Sequence, residues 1–172
     1  MDERQFEALV EQHGDYILRL CYTYTKDWQI AEELTQDTFL RFFKASARFR
    51  GDANERTYLY RIAVNRCKSF MVTWRYKQLF FGKLSRRIES TAQVAQLVEA
   101  ADERRALYEK IEKLPMKYRE VLLLFHYMEM TTKDISVVLG VSENTVKTRL
   151  RRARIQLGEM LGEEGMLDGQ NS

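Results

Sequence analysis

Residues 132–154, TKDISVVLGVSENTVKTRLRRAR, constrain this chain more than any other stretch. A short amphipathic run ends at Leu139, a turn follows at Gly140 and Val141, and Ser142 is placed to cap a second helix. Gly140 supplies the positive φ that a tight turn between two helices commonly needs. Ile135, Leu139, Val141, Val146 and Leu150 are spaced to pack the two helices across each other at a steep angle. The second helix then carries Lys147, Arg149, Arg151, Arg152 and Arg154 with no acid among them. Two helices joined by a Gly turn, the second one basic, is the arrangement that lays side chains into the DNA major groove. Its first two turns hold Glu143, Asn144, Thr145, Lys147 and Thr148, the positions that approach base edges. Arg149, Arg151 and Arg152 fall further along and suit phosphates, which position rather than specify. The plainer alternative is a basic solvated helix in a bundle; five cations behind a well-formed turn weigh against it.

The remaining chain is helical in character. A single Pro and eight Gly among 172 residues, with few β-branched runs, favour helices throughout. Hydrophobic residues make up 45%, enough for a core, and 31% are charged, which argues against global disorder. The formal charge is only +3, from 28 basic and 25 acidic residues, so a nucleic-acid surface must come from segregation of charge. Cys21 and Cys67 have apolar neighbours and read as buried free thiols of a reducing compartment rather than a disulfide. The opening MDERQFEALVEQ lacks a continuous apolar stretch, and no run approaches the roughly 18 apolar residues of a membrane span. No signal peptide and no membrane insertion are expected, and the chain is expected to be soluble and cytoplasmic.

Periodicity divides the chain. Asp2 with Gln5 caps a first helix whose inner face is Phe6, Leu9, Val10, Ile17, Leu20, Cys21 and Tyr24. Asp27 caps a second, built on Ile30, Ala31, Leu34, Thr38, Phe42 and Ala45. A loop at 49–54 (FRGDAN) follows, and Asp52 with Glu55 is a capping signature for a third helix. The predicted inner stripe of that helix is Leu59, Ile62, Ala63, Arg66, Cys67 and Phe70, and the bundle is expected to end near Tyr76. Between 77 and 102 the periodicity weakens around a basic cluster of Lys83, Arg86 and Arg87, as in a linker. Helices return at 103–113, 116–127, 132–139 and 142–161, with Pro115 in the first turn of the second of these and a polar tail at 163–172. The expectation is an all-α chain of two small helical domains, a three-helix bundle at 1–76 and a helix-turn-helix unit at 103–162, joined by a flexible linker.

Two outer faces carry chemistry. Glu33, Gln36, Asp37, Leu40 and Arg41 lie off the inner stripe of the second helix, a mixed acidic and apolar face that suits protein docking or simple solvation. Thr57, Tyr60, Arg61, Val64, Asn65 and Lys68 form the expected outer face of the third helix. Aromatic, amide and basic groups together can stack an unpaired base, bond its edge and neutralise phosphates. No catalytic constellation is present. His13 and His126 fall in different domains without a ligand set, and there is no phosphate-cradling Gly loop, nucleophile elbow or HExxH. No metal, cofactor or enzymatic activity is expected.

Residues 114–154, LPMKYREVLLLFHYMEMTTKDISVVLGVSENTVKTRLRRAR, closely resemble region 4 of bacterial RNA polymerase sigma factors of the extracytoplasmic-function type. AEELTQDTFLRFFKA at 31–45 resembles the family's region 2.2, and FRGDANERTYLYRIAVNRCKSF at 49–70 resembles the segment that melts and reads the −10 element. The matches cover roughly 6–76 and 103–161, in the family's order. The resemblance implies a non-catalytic initiation factor whose partners are core RNA polymerase, through its β′ clamp and β subunits, promoter DNA and commonly an anti-sigma factor. It implies core contact through Glu33, Gln36, Asp37, Leu40 and Arg41. It places Phe49, Arg50, Thr57, Tyr60, Arg61, Asn65 and Lys68 at the −10 element, with the loop and Asn65 receiving a flipped base. Glu143, Asn144, Thr145, Lys147, Thr148, Arg149, Arg151 and Arg152 fall at the −35 element. The chain also departs from the family. After the asparagine a C-x-D-x-x-R-R pattern is usual; here Ser69 replaces the acid, Met71 and Val72 stand for cations, and Trp74, Arg75, Tyr76 and Lys77 follow. Tyr58 stands where Trp is usual. The alternatives are a helix-turn-helix regulator that binds promoter DNA without joining polymerase, and a protein-interaction module in which the basic helix is incidental.

Overall fold

The computed structural model describes residues 2–46, 54–81 and 102–162. Among these, regular structure is all helical: α1 (Glu3–Thr25), α2 (Trp28–Ser46), α3 (Glu55–Phe81), α4 (Asp102–Lys113), α5 (Met116–Leu122), a π-helical turn (Leu123–Tyr127), α6 (Thr132–Leu139) and α7 (Glu143–Leu161). The chain divides into two compact units, the first built on α1–α3 and the second mainly on the elements from Asp102 onward.

Capping residues start the helices. The Asp2 carboxylate accepts from the Gln5 amide at 2.8 Å while the Gln5 side chain accepts from the Asp2 amide at 2.9 Å, a reciprocal box. α1 stops where Lys26 turns left-handed (φ 54) and its N–H donates to the Tyr22 carbonyl. Asp27 then accepts from the Ile30 amide at 3.0 Å and opens α2. For α3 the expected cap, Asp52, lies outside the described residues. Within them Asn54 is the capping residue, its side chain accepting from the Arg56 amide at 3.0 Å. α3 continues to Phe81, past the end expected at Tyr76.

In the first unit each helix packs on the other two. Ile17, Leu20, Cys21 and Tyr24 of α1, Ile30, Ala31, Leu34, Phe39 and Phe42 of α2, and Leu59, Tyr60, Ala63, Val64 and Cys67 of α3 are buried. The two cysteines are free, as expected, and their thiols meet across α1 and α3. The hydrogen bond with Cys21, and then burial, hold the Cys67 thiol far above its ordinary pKa, so it stays protonated. His13, also buried, sets its ring edge to face on Tyr60 at 5.8 Å; burial, then the nearby Arg56 cation, lowers its pKa.

The face expected to be outermost on α3 is corrected here. Tyr60 and Val64 have no exposed surface and Thr57 is buried. Ile62, Arg66 and Phe70, expected inside, are half-buried instead. The reason is that α3 lies against both α1 and α2, so it buries an arc wide enough to take Tyr60 and Val64 beside Leu59, Ala63 and Cys67. Arg66 does not merely extend its stem: with Arg41 it donates to the Asp37 carboxylate, tying α3 to α2. Burial would raise the Asp37 pKa, but the bonds from Arg41 and Arg66 outweigh it and hold the carboxyl below its ordinary value.

In the second unit α7 packs on α5 and α4. Leu114, Tyr118, Val121, Leu122, Leu124, Met128, Met130, Ile135, Val146, Leu150 and Ala153 are buried. Pro115 precedes α5, and its carbonyl accepts from the Tyr118 and Arg119 amides at 2.9 and 3.1 Å. The helix expected over 116–127 is α-helical only to Leu122. Leu123–Tyr127 widens to a π turn, and the Met128 and Met130 amides donate back to the Leu123 and Leu124 carbonyls, both at 3.0 Å.

Because Tyr60 is core, Tyr60→Ala is expected to destabilise the first unit by roughly 3–5 kcal/mol, read as a lowered urea midpoint by far-ultraviolet circular dichroism. A midpoint within error of the parent protein would return Tyr60 to the surface.

Candidate nucleic-acid interface

The turn between α6 and α7 is fixed locally. Thr131 caps α6, accepting from the Asp134 amide at 3.1 Å. Gly140 adopts φ 66, and the Val141 amide donates to the Ser136 carbonyl at 3.2 Å. A Cβ at Gly140 would meet nothing within 4 Å, so glycine is required there for its torsion and not for space. Ser142 accepts from the Thr145 amide at 3.1 Å and opens α7. Ile135, Val146 and Leu150 are buried beneath the turn.

With those three inside, α7 presents Asn144, Lys147, Thr148, Arg151 and Arg152 outward, with Glu143, Thr145, Arg149 and Arg154 half-buried. Asn144, Lys147, Thr148 and Arg151 recur at three- and four-residue spacing and form one ridge. Arg151 and Arg152 make no ion pair with another described residue, so their charge is available. The other cations are engaged. Lys147 lies 3.6 Å from Glu143 one turn away. Arg154 stacks over Phe125 at 5.4 Å and approaches His126 at 3.3 Å. Burial, then the Arg154 charge, lowers the His126 pKa.

Arg149, expected at a phosphate, is turned inward. Its guanidinium pairs at 3.3 Å with Glu120 of α5, whose side chain is only 4% exposed. A carboxylate this deep is costly without a cation, and Arg149 supplies one. Glu120 escaped the reading of the sequence because α5 presents it among apolar residues, with no nearby motif to mark it.

Glu143 is held from two sides. Its Oε1 accepts from the Thr132 hydroxyl of α6 at 2.7 Å and faces Lys147. The Thr132 bond and then Lys147 hold its pKa below the ordinary carboxylate value.

On α3 the exposed residues with a described side chain are Glu55, Arg61, Asn65, Ser69, Val72, Thr73, Arg75 and Lys77, with Lys68 half-buried. Arg61, Asn65, Ser69 and Val72 line one ridge, and Val72 is 69% exposed. Of the −10 residues expected from sequence, Arg61, Asn65 and Lys68 share this surface, and Thr57 and Tyr60 do not. Phe49 and Arg50 lie outside the described residues, as do Lys83, Arg86 and Arg87. On α2 Glu33, Gln36, Leu40 and Arg41 are exposed and share a face with the partly exposed, paired Asp37. Phe43 joins them, exposed at its edge while the Phe6 ring packs on it at 4.9 Å. Phe43 follows Leu40 and Gln36 at helical spacing and extends this face. Among the described residues no His, Cys, Asp or Glu group is arranged to hold a metal, and no helix is long and apolar enough to cross a membrane.

These two units coincide with two family models, Sigma-70 region 2 over residues 9–78 and Sigma-70 region 4 over residues 104–157. The chain is also 30% identical over 171 residues to the RNA polymerase sigma-H factor of Pseudomonas aeruginosa, covering 93% of this chain and 88% of that protein. The chain belongs to the sigma-70 family. Within it, the ECF RNA polymerase sigma factor SigW of Bacillus subtilis is 27% identical, covering 93% of this chain and 90% of the relative. The fold matches that of the sigma factor RpoE from Bartonella quintana, solved in complex with the anti-sigma factor NepR, at a TM-score of 0.75 and 22% identity over 92% of this chain and 98% of that one. The chain is thus a sigma factor similar to the extracytoplasmic-function type, with α3 in region 2 and the α6–α7 turn in region 4.

Arg149→Ala takes a paired cation from the buried Glu120 carboxylate and is expected to destabilise the second unit by on the order of 3 kcal/mol. Arg151→Ala leaves nothing buried behind and should stay within about 0.5 kcal/mol. Differential scanning calorimetry of the two variants checks the contrast, and equal melting temperatures would contradict it.

Proposed function

We propose that this chain joins core RNA polymerase through the outer face of α2, reads the −35 element with α7, and engages the unpaired −10 element with the α3 ridge and the loop before it. The observation that carries this is the pairing, in one chain, of an uncommitted cationic edge on α7 with an amide-and-base-handling ridge on α3. On this reading residues 1–76 act as region 2, 77–102 as the tether and 103–162 as region 4. Glu33, Gln36, Asp37, Leu40, Arg41 and Phe43 meet the β′ clamp, the family's docking partner. Arg61, Asn65 and Lys68, with Phe49 and Arg50 of the loop, meet the −10 strand. Asn144, Thr145, Lys147 and Thr148 meet −35 base edges, and Arg151 and Arg152 meet phosphates.

The protein acts without catalysis, in the cytoplasm. It hydrolyses nothing: binding of an extruded base and strand offsets an unpairing cost of a few kcal/mol per base. An anti-sigma protein is a further partner, since the Bartonella quintana relative was solved in complex with one.

In vitro transcription with core polymerase, with and without this protein, tests the reading alongside a pull-down of core. Promoter-dependent transcripts are expected only when the protein is present, and failure to retain core would sink it. Tight duplex binding by the free chain would favour a regulator that works without polymerase. Replacing Arg151 and Arg152 together by Ala is expected to weaken binding about uniformly across −35 sequences and to lower the salt slope of log K by about 2. A change confined to one base position would show that these residues read sequence.

A further inference from the structure

Glu143 is the sole acid between Asp134 and Glu159, at the first position of a helix otherwise lined with cations. Facing a polyanion it repels phosphate, so a place at the reading end of α7 calls for a different ligand. It is not a loose surface carboxylate. Thr132, from the neighbouring helix, donates to Oε1 at 2.7 Å, and Lys147 approaches the same oxygen at 3.6 Å. Both contacts fall on Oε1, and Oε2 accepts no hydrogen bond from another described residue. An ionised carboxylate only accepts, so a base edge that presents a donor suits it and one that presents an acceptor does not. In the major groove the donors are the exocyclic amines, cytosine N4 and adenine N6, and Glu is a known acceptor for the first. Lys147, one turn on, places a donor beside this acceptor. A C·G pair shows the matching pattern, an amine next to the O6 and N7 acceptors of guanine. An A·T pair shows an amine next to acceptors too, but adds the thymine methyl.

We propose that Glu143 is a specificity-determining residue: positioned by Thr132 and paired with Lys147, its carboxylate accepts the exocyclic amine of one major-groove base and rejects the guanine and thymine acceptors at that position. This rests on α7 being the helix that enters the −35 groove. It assigns Thr132, outside the recognition helix, as a positioning residue. It also separates Glu143, which can only accept, from Arg151 and Arg152, which can only donate, and from Asn144, whose amide can do both.

A duplex library randomised across the −35 element tests it in two formats, the full chain with core RNA polymerase and the full chain alone at low salt. The parent protein is expected to enrich C or A over G and T at least about fivefold at one position, with C above A if the Lys147 partner completes the match. Glu143→Gln, whose amide also donates, should flatten that position alone. Thr132→Val should weaken the same preference and leave the others unchanged. A Glu143→Gln variant that changes no position, or all positions alike, overturns the proposal, as does a parent protein with no amine preference in either format. If core transcription proceeds and no position responds to Glu143→Gln, this assignment fails and the polymerase reading stands. If the free chain selects amine-bearing sites but never joins core, the reverse holds.

Discussion

The burial of Val146, Leu150 and Ala153 along one side of α7 decides what the second unit can offer to DNA. A helix has a limited circumference. Once these three positions face inward, Asn144, Lys147, Thr148 and Arg151 must face outward, and the ridge proposed to read the groove follows from the core. Apolar contact alone leaves a helix free to roll by some degrees. The Glu120–Arg149 pair adds a polar pin between α5 and α7, and the Thr132–Glu143 bond adds another between α6 and α7. Both pins use groups whose loss leaves a charge or acceptor out of place, so they set orientation more than they add stability. A reading helix benefits from that, because base discrimination depends on side chains held to within about 0.5 Å.

The first unit solves the same problem with different materials. α3 has to pack against two helices and still keep a polar ridge, so it gives a wide arc to the core and a narrow one to solvent. Beneath the ridge the Tyr60 ring meets His13 edge to face and lies under the Arg56 guanidinium at 5.7 Å. Asp37 has a corresponding place on α2. Its bonds to Arg41 and Arg66 make the exposed face of α2 and the packing of α3 one connected structure. A substitution at Asp37 therefore acts on both surfaces at once, unlike one at Gln36 or Leu40, which sit free on the exposed side.

Local rules were legible in the sequence wherever neighbours in the chain decide the outcome. The caps at Asp2, Asp27 and Ser142, the glycine turn and the helix periods all follow from interactions within a few residues. What was not legible depends on partners distant in sequence. Helical periodicity shows that one face of α3 is buried, but not that a second helix covers the adjoining face, which is why Tyr60 and Val64 were placed outside. Counting cations on α7 likewise cannot show that Arg149 is consumed by Glu120, 29 residues earlier. The π turn at Leu123–Tyr127 has no residue signature of its own, because tertiary packing and not local propensity widens that helix. The charge anomaly at Ser69 and Val72 was visible early, and the structure gives it a location: both lie on the same exposed ridge as Arg61 and Asn65.

That location separates the two proposed nucleic-acid surfaces by the kind of force each would exert. The α7 edge keeps two uncommitted cations and works at long range, where phosphate attraction steers approach and salt weakens it. The proposed α3 ridge lacks the acid and cations usual to the family around Ser69 and Val72, and offers short-range hydrogen bonding with Arg61 as its main charge. A surface of that kind is poor at capturing DNA but well suited to holding a strand once it is presented. Joined in one chain, the first supplies the local concentration that the second lacks, so neither has to bind tightly alone. On the proposed division, the family's usual charge can be absent from α3 because capture falls to α7 and polymerase, and α3 acts only after the duplex has been brought within reach.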